Sequence, residues 1–210
     1  DQRVEKFCKT LHENSYQIEV IGNNWGGTPE MKRPYPFSRI SLQSKKLRFA
    51  YLEFQWKLFF ELLKKADRNT ILHANDLDAL LPNYLVSKIK GIPLVWDSHE
   101  IFTEMPTVTN RWVQHVWRLL ENALIRKIKY FITANDSYAN WFETNYKIKR
   151  PIVIRNFPQK SESPKSFVEN SPKIILYQGT INYSRGIDKM IEAMQFIENA
   201  EFHIAGRGPF

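Results

Sequence analysis

The chain has 210 residues, 43% hydrophobic and 25% charged, the make-up of an ordinary globular protein, which excludes wholesale disorder. Cys8 is the only cysteine, which excludes a disulfide scaffold, and no apolar run approaches the ~20 residues needed to cross a bilayer. The net charge of +8 lies wholly in residues 1–158, while residues 159–210 are balanced, so the first part calls for an anionic neighbour: a phosphate ligand, a membrane surface or a nucleic acid.

In chain order, the first six residues hold no apolar signal core, so a reduced, cytoplasmic protein is the expectation. Helical spacing runs over 3–14 and a strand over 18–21, ending at Gly22. A long helix is predicted over 45–66, a strand over 70–74, and a helix over 78–90 with Gly91 placed to end it. Then come a strand at 93–96, a helix at 111–128 with Asn110 as N-cap, a strand at 130–134, a helix at 136–146 capped by Asn135 or Asp136, and a strand at 152–154. The polar, proline-punctuated stretch 158–172 reads as a linker. Beyond it, a strand at 174–177, a helix at 187–197 and a strand at 201–205 make one βαβ unit.

Strand–helix alternation of this kind predicts an α/β fold with a doubly wound, mostly parallel sheet over residues 1–157. The unit over 173–210 is too small for a core of its own and is expected to be an incomplete second Rossmann-like unit. The first unit opens on a helix and is expected to lack the usual first strand.

Ligands bind at the carboxyl ends of strands in an open parallel sheet. Asn75, Asp76 and Asp78 follow one predicted strand, and Asp97, Ser98, His99 and Glu100 follow the next. An imidazole beside carboxylates can orient a hydroxyl or move a proton near neutral pH. The alternative is that Asp97 or Ser98 caps a turn and His99 is only hydrogen-bonded. No H-E-x-x-H and no clustered Cys/His spacing is present, so no bound metal is expected. In the second unit, Gly179 ends a strand and Arg185-Gly186 leads into a helix, an arrangement suited to phosphate, although it is neither a P-loop nor G-x-G-x-x-G. Gly206 and Gly208 follow the last strand, in either a close-approach turn of the same kind or simply a tight turn.

The 45–65 stretch has basic ends and two apolar faces, one with Leu52, Trp56, Phe59, Phe60 and Leu63 and one with Phe54, Leu58 and Leu62. It reads either as a helix wedged in the core or as a basic aromatic surface resting on an anionic membrane. The 111–128 helix, with Trp112, Trp117, Arg126 and Lys127, offers a similar choice, and its positions Val113, Val116, Trp117, Leu120 and Leu124 read mostly as core. Nucleic acid is not the expected partner, because no helix-turn-helix, zinc finger or RNP motif accompanies the charge.

Four runs now carry a resemblance: 71–76, 91–100, 131–135 and 153–158, that is ILHAND, GIPLVWDSHE, FITAN and VIRNFP. In order and spacing they resemble the N-terminal domain of GT-B glycosyltransferases of the family 4 type. LYQG at 176–179, RGID at 185–188 and IAGRGP at 204–209 look like the start of that family's donor-binding domain.

The resemblance implies two Rossmann-like domains, one receiving the acceptor and the other a nucleotide-sugar, with retention of anomeric configuration and no resident metal or other cofactor. By position, His99 would sit near the reacting sugar, with Asn75, Asp76, Asp97 and Glu100 on the acceptor side. Gly179, Arg185, Gly186, Gly206 and Gly208 would lie on the donor side, with Arg185 in the place of the family's phosphate-gripping lysine. The chain departs from the family at Thr180, where many members have arginine. The family's pair of glutamates seven residues apart in the donor-binding domain would fall beyond position 210, so the chain alone is expected to be inactive. The implied partners are a nucleotide-sugar and a saccharide or lipid-linked acceptor of the cell envelope, and the +8 charge with the 45–65 helix adds an anionic membrane, at its inner face, to the expected partners. The rival readings are a GT-B nucleotide-sugar epimerase and a non-catalytic module that binds sugar or phosphate.

Overall fold

The computed structural model describes residues 2–24, 32–44, 46–158, 160, 172–182 and 185–208. The chain divides into two compact units, Asp1–Phe157 and Pro158–Phe210. Residues 161–171 of the predicted linker, Tyr183 and Ser184 of the predicted phosphate loop, and Lys45 lie outside the described residues.

The first unit runs α1 (Gln2–Glu13), β1 (Val20–Asn24), β2 (Phe37–Ser41), α2 (Leu47–Lys65), β3 (Leu72–Asn75), α3 (Leu80–Lys90), β4 (Leu94–Ser98), α4 (Trp112–Ile125), β5 (Tyr130–Thr133), α5 (Asp136–Tyr146) and β6 (Ile152–Val153). Short 3₁₀ turns at Leu77–Ala79 and Phe102–Glu104 precede α3 and α4. The α/β class and the parallel strands are as the sequence led one to expect. The described strands of this unit form two sheets, a β1–β2 pair and a four-stranded sheet in the order β3-β4-β5-β6, with every pairing parallel.

Alternation along the strands gives the four-stranded sheet two unlike faces. Register places Leu72 beside Leu94, Ala74 beside Trp96, and Trp96 beside Phe131 on one face. There the Trp96 ring stacks on Phe131 at 4.3 Å between centroids, and Phe142 of α5 meets both rings edge-on. The other face carries His73, Asn75, Val95, Asp97 and Ile132. Helix α1 lies against this face, with Phe7 5.4 Å from the His73 ring and Arg3 on Asp97. One face is therefore the apolar core, and the other holds the polar chemistry.

Gly91 ends α3 in the left-handed conformation at φ 66°, and the Asn135 side chain caps α5 by accepting from the Tyr138 amide at 2.8 Å. Both are as predicted. Asn110, however, does not cap α4. Arg111 occupies that position with no side-chain cap, and Asn110 stands at φ 60° with its amide donating to Gln114 Oε1. Strand β2 was not predicted, because Pro34 and Pro36 just before it read as loop and only Ile40 in it is buried.

On two helices the burial decides what the apolar spacing left open. On α2 the stripe Phe54, Leu58 and Leu62 is buried, whereas Leu52, Trp56 and Phe60 are exposed. On α4, Trp117 and Leu124 are core, but Val116 is exposed and belongs to a second, outward stripe.

The second unit is one βαβ: β7 (Lys173–Gln178), α6 (Ile187–Ala193) and β8 (Ala200–Ala205), followed along α6 by a 3₁₀ turn at Met194–Phe196. The two strands pair in parallel over their full length. Ile187 is the buried residue among those described there.

Candidate functional site

The carboxyl ends of β3 and β4 meet at the rim of the four-stranded sheet, where Asn75 is the register partner of Asp97. Asp76 follows at once with φ 59° and ψ 178°, a conformation that glycine tolerates and other residues adopt at a cost of about 1–3 kcal/mol. Two hydrogen bonds hold it there. Its amide donates to Asp97 O at 2.9 Å, and its Oδ1 accepts from the His99 amide at 2.8 Å. The strain thus fastens the end of β3 to the turn after β4.

Asp97 is fully buried, which demands a partner. Arg3, from the first turn of α1, supplies it with two parallel bonds: Nε to Oδ2 at 2.9 Å and Nη2 to Oδ1 at 2.6 Å. The remaining guanidinium nitrogen, Nη1, donates to the Ile154 carbonyl after β6. Burial alone would push the Asp97 carboxyl up, but hydrogen bonds and charge from His99 and Arg3 outweigh it and hold it below the usual carboxylate range.

The His99 ring lies between two carboxylates, with Nδ1 3.5 Å from Asp76 Oδ2 and Nε2 3.5 Å from Asp97 Oδ2. At that length the ring is flanked by both rather than locked to either. Burial raises the Asp76 carboxyl, partly offset by His99, and it lifts Asp78 to about 6 with help from the Asp76 charge. Burial also lowers His73, favouring its neutral form. His73 Nε2 and Asn75 Oδ1 are buried with no hydrogen-bond partner among the described residues. Glu100 is exposed, and its carbonyl accepts from Ser98 Oγ at 2.7 Å.

Of the residues singled out in the sequence, Asn75, Asp76, Asp97 and His99 come together at this rim, with Glu100 at its solvent side. Arg3 was missed. The signal was available: Arg3 and Phe7 stand at i and i+4 on one helical face, and a cation on a buried face needs an anion.

Glu121 of α4 was missed as well. It is fully buried, its Oε2 accepts from the Tyr146 hydroxyl and lies 3.5 Å from Thr103 Oγ1, and burial pushes its carboxyl to about 7. Gln114 Nε2 donates to the Thr103 carbonyl at 2.7 Å, so α4 and α5 together grip the segment that follows His99.

In the second unit, Gly179 follows β7, and Gly186 precedes α6 at φ 69°. Arg185 is exposed. Gly206 and Gly208 have a tight requirement of their own. A Cβ on Gly206 would lie 1.8 Å from Gly179 O, and one on Gly208 would lie 1.6 Å from Ile181 O. The two segments run side by side, with Gly179 N donating to Ala205 O and Ile181 N to Arg207 O, both at 3.0 Å. The close approach at these glycines is therefore made by the chain's own backbone.

Among the described residues no group of three or more His, Cys, Asp or Glu is arranged to hold a metal ion, and no helix is long and apolar enough to cross a membrane.

A parallel α/β unit whose helices flank a four-stranded sheet is a Rossmann-like domain, and its buried acid–base cluster lies at the carboxyl rim of that sheet. The family model for Glycosyltransferase Family 4 matches residues 2–157, the whole of this unit apart from its first residue, and the chain belongs to that family. No curated protein sequence matches the chain.

Proposed function

We propose that this protein takes part in transfer of a sugar from a nucleotide-sugar to a saccharide or lipid-linked acceptor of the cell envelope, in the two-domain GT-B arrangement and with retained anomeric configuration. In the reaction the bond from the anomeric carbon to the diphosphate oxygen breaks. The acceptor oxygen bonds to that carbon, its proton passes to the His99 imidazole, and the nucleoside diphosphate leaves.

The first unit is the acceptor side, with His99 beside the reacting sugar and Asn75, Asp76, Asp97 and Glu100 around the acceptor. His73 Nε2 and Asn75 Oδ1, buried and unpartnered among the described residues, suit the hydroxyl groups of a sugar. The Arg3 pairing keeps Asp97 ionised, so the imidazole has a fixed negative neighbour against which to orient. Donor diphosphate binding is assigned to the second unit, to the backbone at Gly179, Gly186, Gly206 and Gly208 and to the side chain of Arg185.

The observation that carries this reading is the His99 ring set between Asp76 and Asp97 in a chain of this glycosyltransferase family. The test, run on a chain that carries a complete donor-binding domain, is labelled-sugar transfer from a panel of nucleotide-sugars, with wild type and His99→Ala side by side and circular dichroism as a check on folding. Loss of a general acid–base group lowers turnover by about 10²–10⁴-fold. Normal turnover in a folded His99→Ala variant would reduce His99 to a structural residue. Release or epimerisation of the sugar with no acceptor present would point to an epimerase instead.

A further inference from the structure

Helix α2 buries Phe54, Leu58 and Leu62 in the core, while Trp56 and Phe60 stand one turn apart on its outer side, 67% and 48% exposed, with their rings edge-on at 4.9 Å. These two rings line a groove of about 840 Å³ between α2 and β2 of the two-stranded sheet. That volume is the size of a ligand site, about 300–1,000 Å³. Every residue from Ser38 to Ser41 borders the groove. Side chains alternate between the faces of a strand, so the groove follows β2 lengthwise and does not sit on one of its faces. Along its helical wall, from Trp56 to Lys65, α2 rises about 14 Å. The groove is long enough for a row of rings, where a small ion would fill only a corner of it.

The polar groups of the groove are available to a ligand. The Ser38 and Ser41 hydroxyls make no hydrogen bond among the described residues. Glu61 and Lys64, three positions apart on α2, make neither a hydrogen bond nor an ion pair among the described residues. Lys57, in contrast, is engaged, its Nζ donating to Glu53 Oε1 at 2.6 Å and to the Ser41 carbonyl at 2.8 Å. Lys65 pairs with Glu19. A carboxylate only accepts, an ammonium only donates, and a serine hydroxyl does both.

The occupant must therefore be apolar toward Trp56 and Phe60 and must both donate and accept toward Glu61, Lys64 and the serines. An apolar helix of a partner protein would bury those polar groups without partners. An anionic lipid surface would set its phosphates against the Glu61 carboxylate. A saccharide meets both demands. The C–H faces of its pyranose rings are apolar and lie on aromatic rings, and its hydroxyls donate to Glu61 and accept from Lys64. We propose that the α2–β2 groove is a second saccharide-binding site, which holds a linear sugar chain along Trp56 and Phe60 and belongs to the β1–β2 sheet, not to the sheet that carries His99. The proposal does not rest on the reading of the sugar-transfer site, because binding is measured with no donor present.

The experiment is calorimetric titration of the 210-residue chain with maltotetraose, cellotetraose, N-acetylchitotetraose and a hyaluronan tetrasaccharide. Wild type is expected to bind at least one of them with a Kd below about 1 mM. Trp56→Ala, with folding checked by circular dichroism, is expected to weaken that binding about tenfold. Glu61→Gln, which keeps the shape and removes the charge, is expected to weaken it about fivefold. His99→Ala is expected to leave it as it is. Absence of binding to all four probes at about 5 mM overturns the proposal. So does binding that His99→Ala abolishes and Trp56→Ala leaves intact, a result that places the saccharide at the rim and leaves the sugar-transfer reading standing. A dimer in sedimentation that Trp56→Ala abolishes, with no saccharide bound, also overturns it and gives the groove to a second copy of the chain.

Discussion

Arg3 and Asp97, 94 positions apart in sequence, meet through two parallel hydrogen bonds and are both almost fully buried. The pair joins the first turn of α1 to the end of β4, and through the Ile154 carbonyl it also reaches the exit of β6. Removing one member leaves the other charged and buried, so Arg3→Ala or Asp97→Asn is expected to destabilise the first unit by about 3–5 kcal/mol. Arg3→Lys should recover little of this, because an ammonium cannot make both bonds. An apolar replacement of both, Arg3→Met with Asp97→Leu, should restore much of the stability while abolishing any activity that depends on His99. Urea unfolding measures the first effect; a loss below 1 kcal/mol in Arg3→Ala would show that the pair contributes little.

Acid should act on the same pair. The Asp97 carboxyl is depressed in the folded state, so its stabilising contribution is present above the ordinary carboxylate range near pH 4 and is lost as pH falls through its lower folded value. Wild type is therefore expected to lose stability below about pH 4 more steeply than Asp97→Asn. Parallel curves for the two proteins in urea titrations from pH 5 to pH 2 would contradict this.

Glu121 has the opposite sign. Its carboxyl is raised by burial from an ordinary 4.5 to about 7, opposed by hydrogen bonds from Tyr146 and Thr103, with Glu104 raising it further and Arg118 lowering it. The folded state therefore holds the proton more tightly than the unfolded chain. The contribution to stability is complete below about pH 4.5, declines between 4.5 and 7, and levels off above that. The total is on the order of 3 kcal/mol. Glu121→Gln keeps the shape without the proton and should flatten that decline. Melting temperatures of wild type and variant across pH 5 to 8 give the comparison, and an identical slope would remove Glu121 as its source.

Gly206→Ala and Gly208→Ala each force a methyl group into a backbone oxygen of the 179–181 segment, and neither oxygen can move without breaking the bonds beside it. Each change should cost the second unit about 1–3 kcal/mol and speed amide exchange along β7. Unchanged exchange protection in both variants would contradict this, whatever their effect on the nucleotide-sugar binding proposed for the same segment.

Much of the fold could be read from the sequence because its elements obey local rules. Gly91 ends α3 and Asn135 caps α5 through short-range chemistry that needs no tertiary context. The polar strand ends at 75–76 and 97–100 were visible for the same reason. What stayed hidden depends on distance. The pairing of Arg3 with Asp97 spans most of the first unit, and Glu121 reads as a solvent-facing glutamate until Tyr146 and Thr103 are placed around it. The two apolar stripes of α2 were both visible, but only packing decides which of them is core.

The tryptophans make the chain its own optical probe. Trp96 and Trp117 sit in the interior, Trp96 pressed flat against Phe131, while Trp56 of α2 and Trp112 of α4 stand in water. With Trp25 and Trp141, the other two of the six, replaced by phenylalanine, a soluble quencher such as iodide would darken the outer pair and leave the inner pair bright. Emission from that variant can thus follow unfolding through one set of indoles and shielding of α2 and α4 through the other.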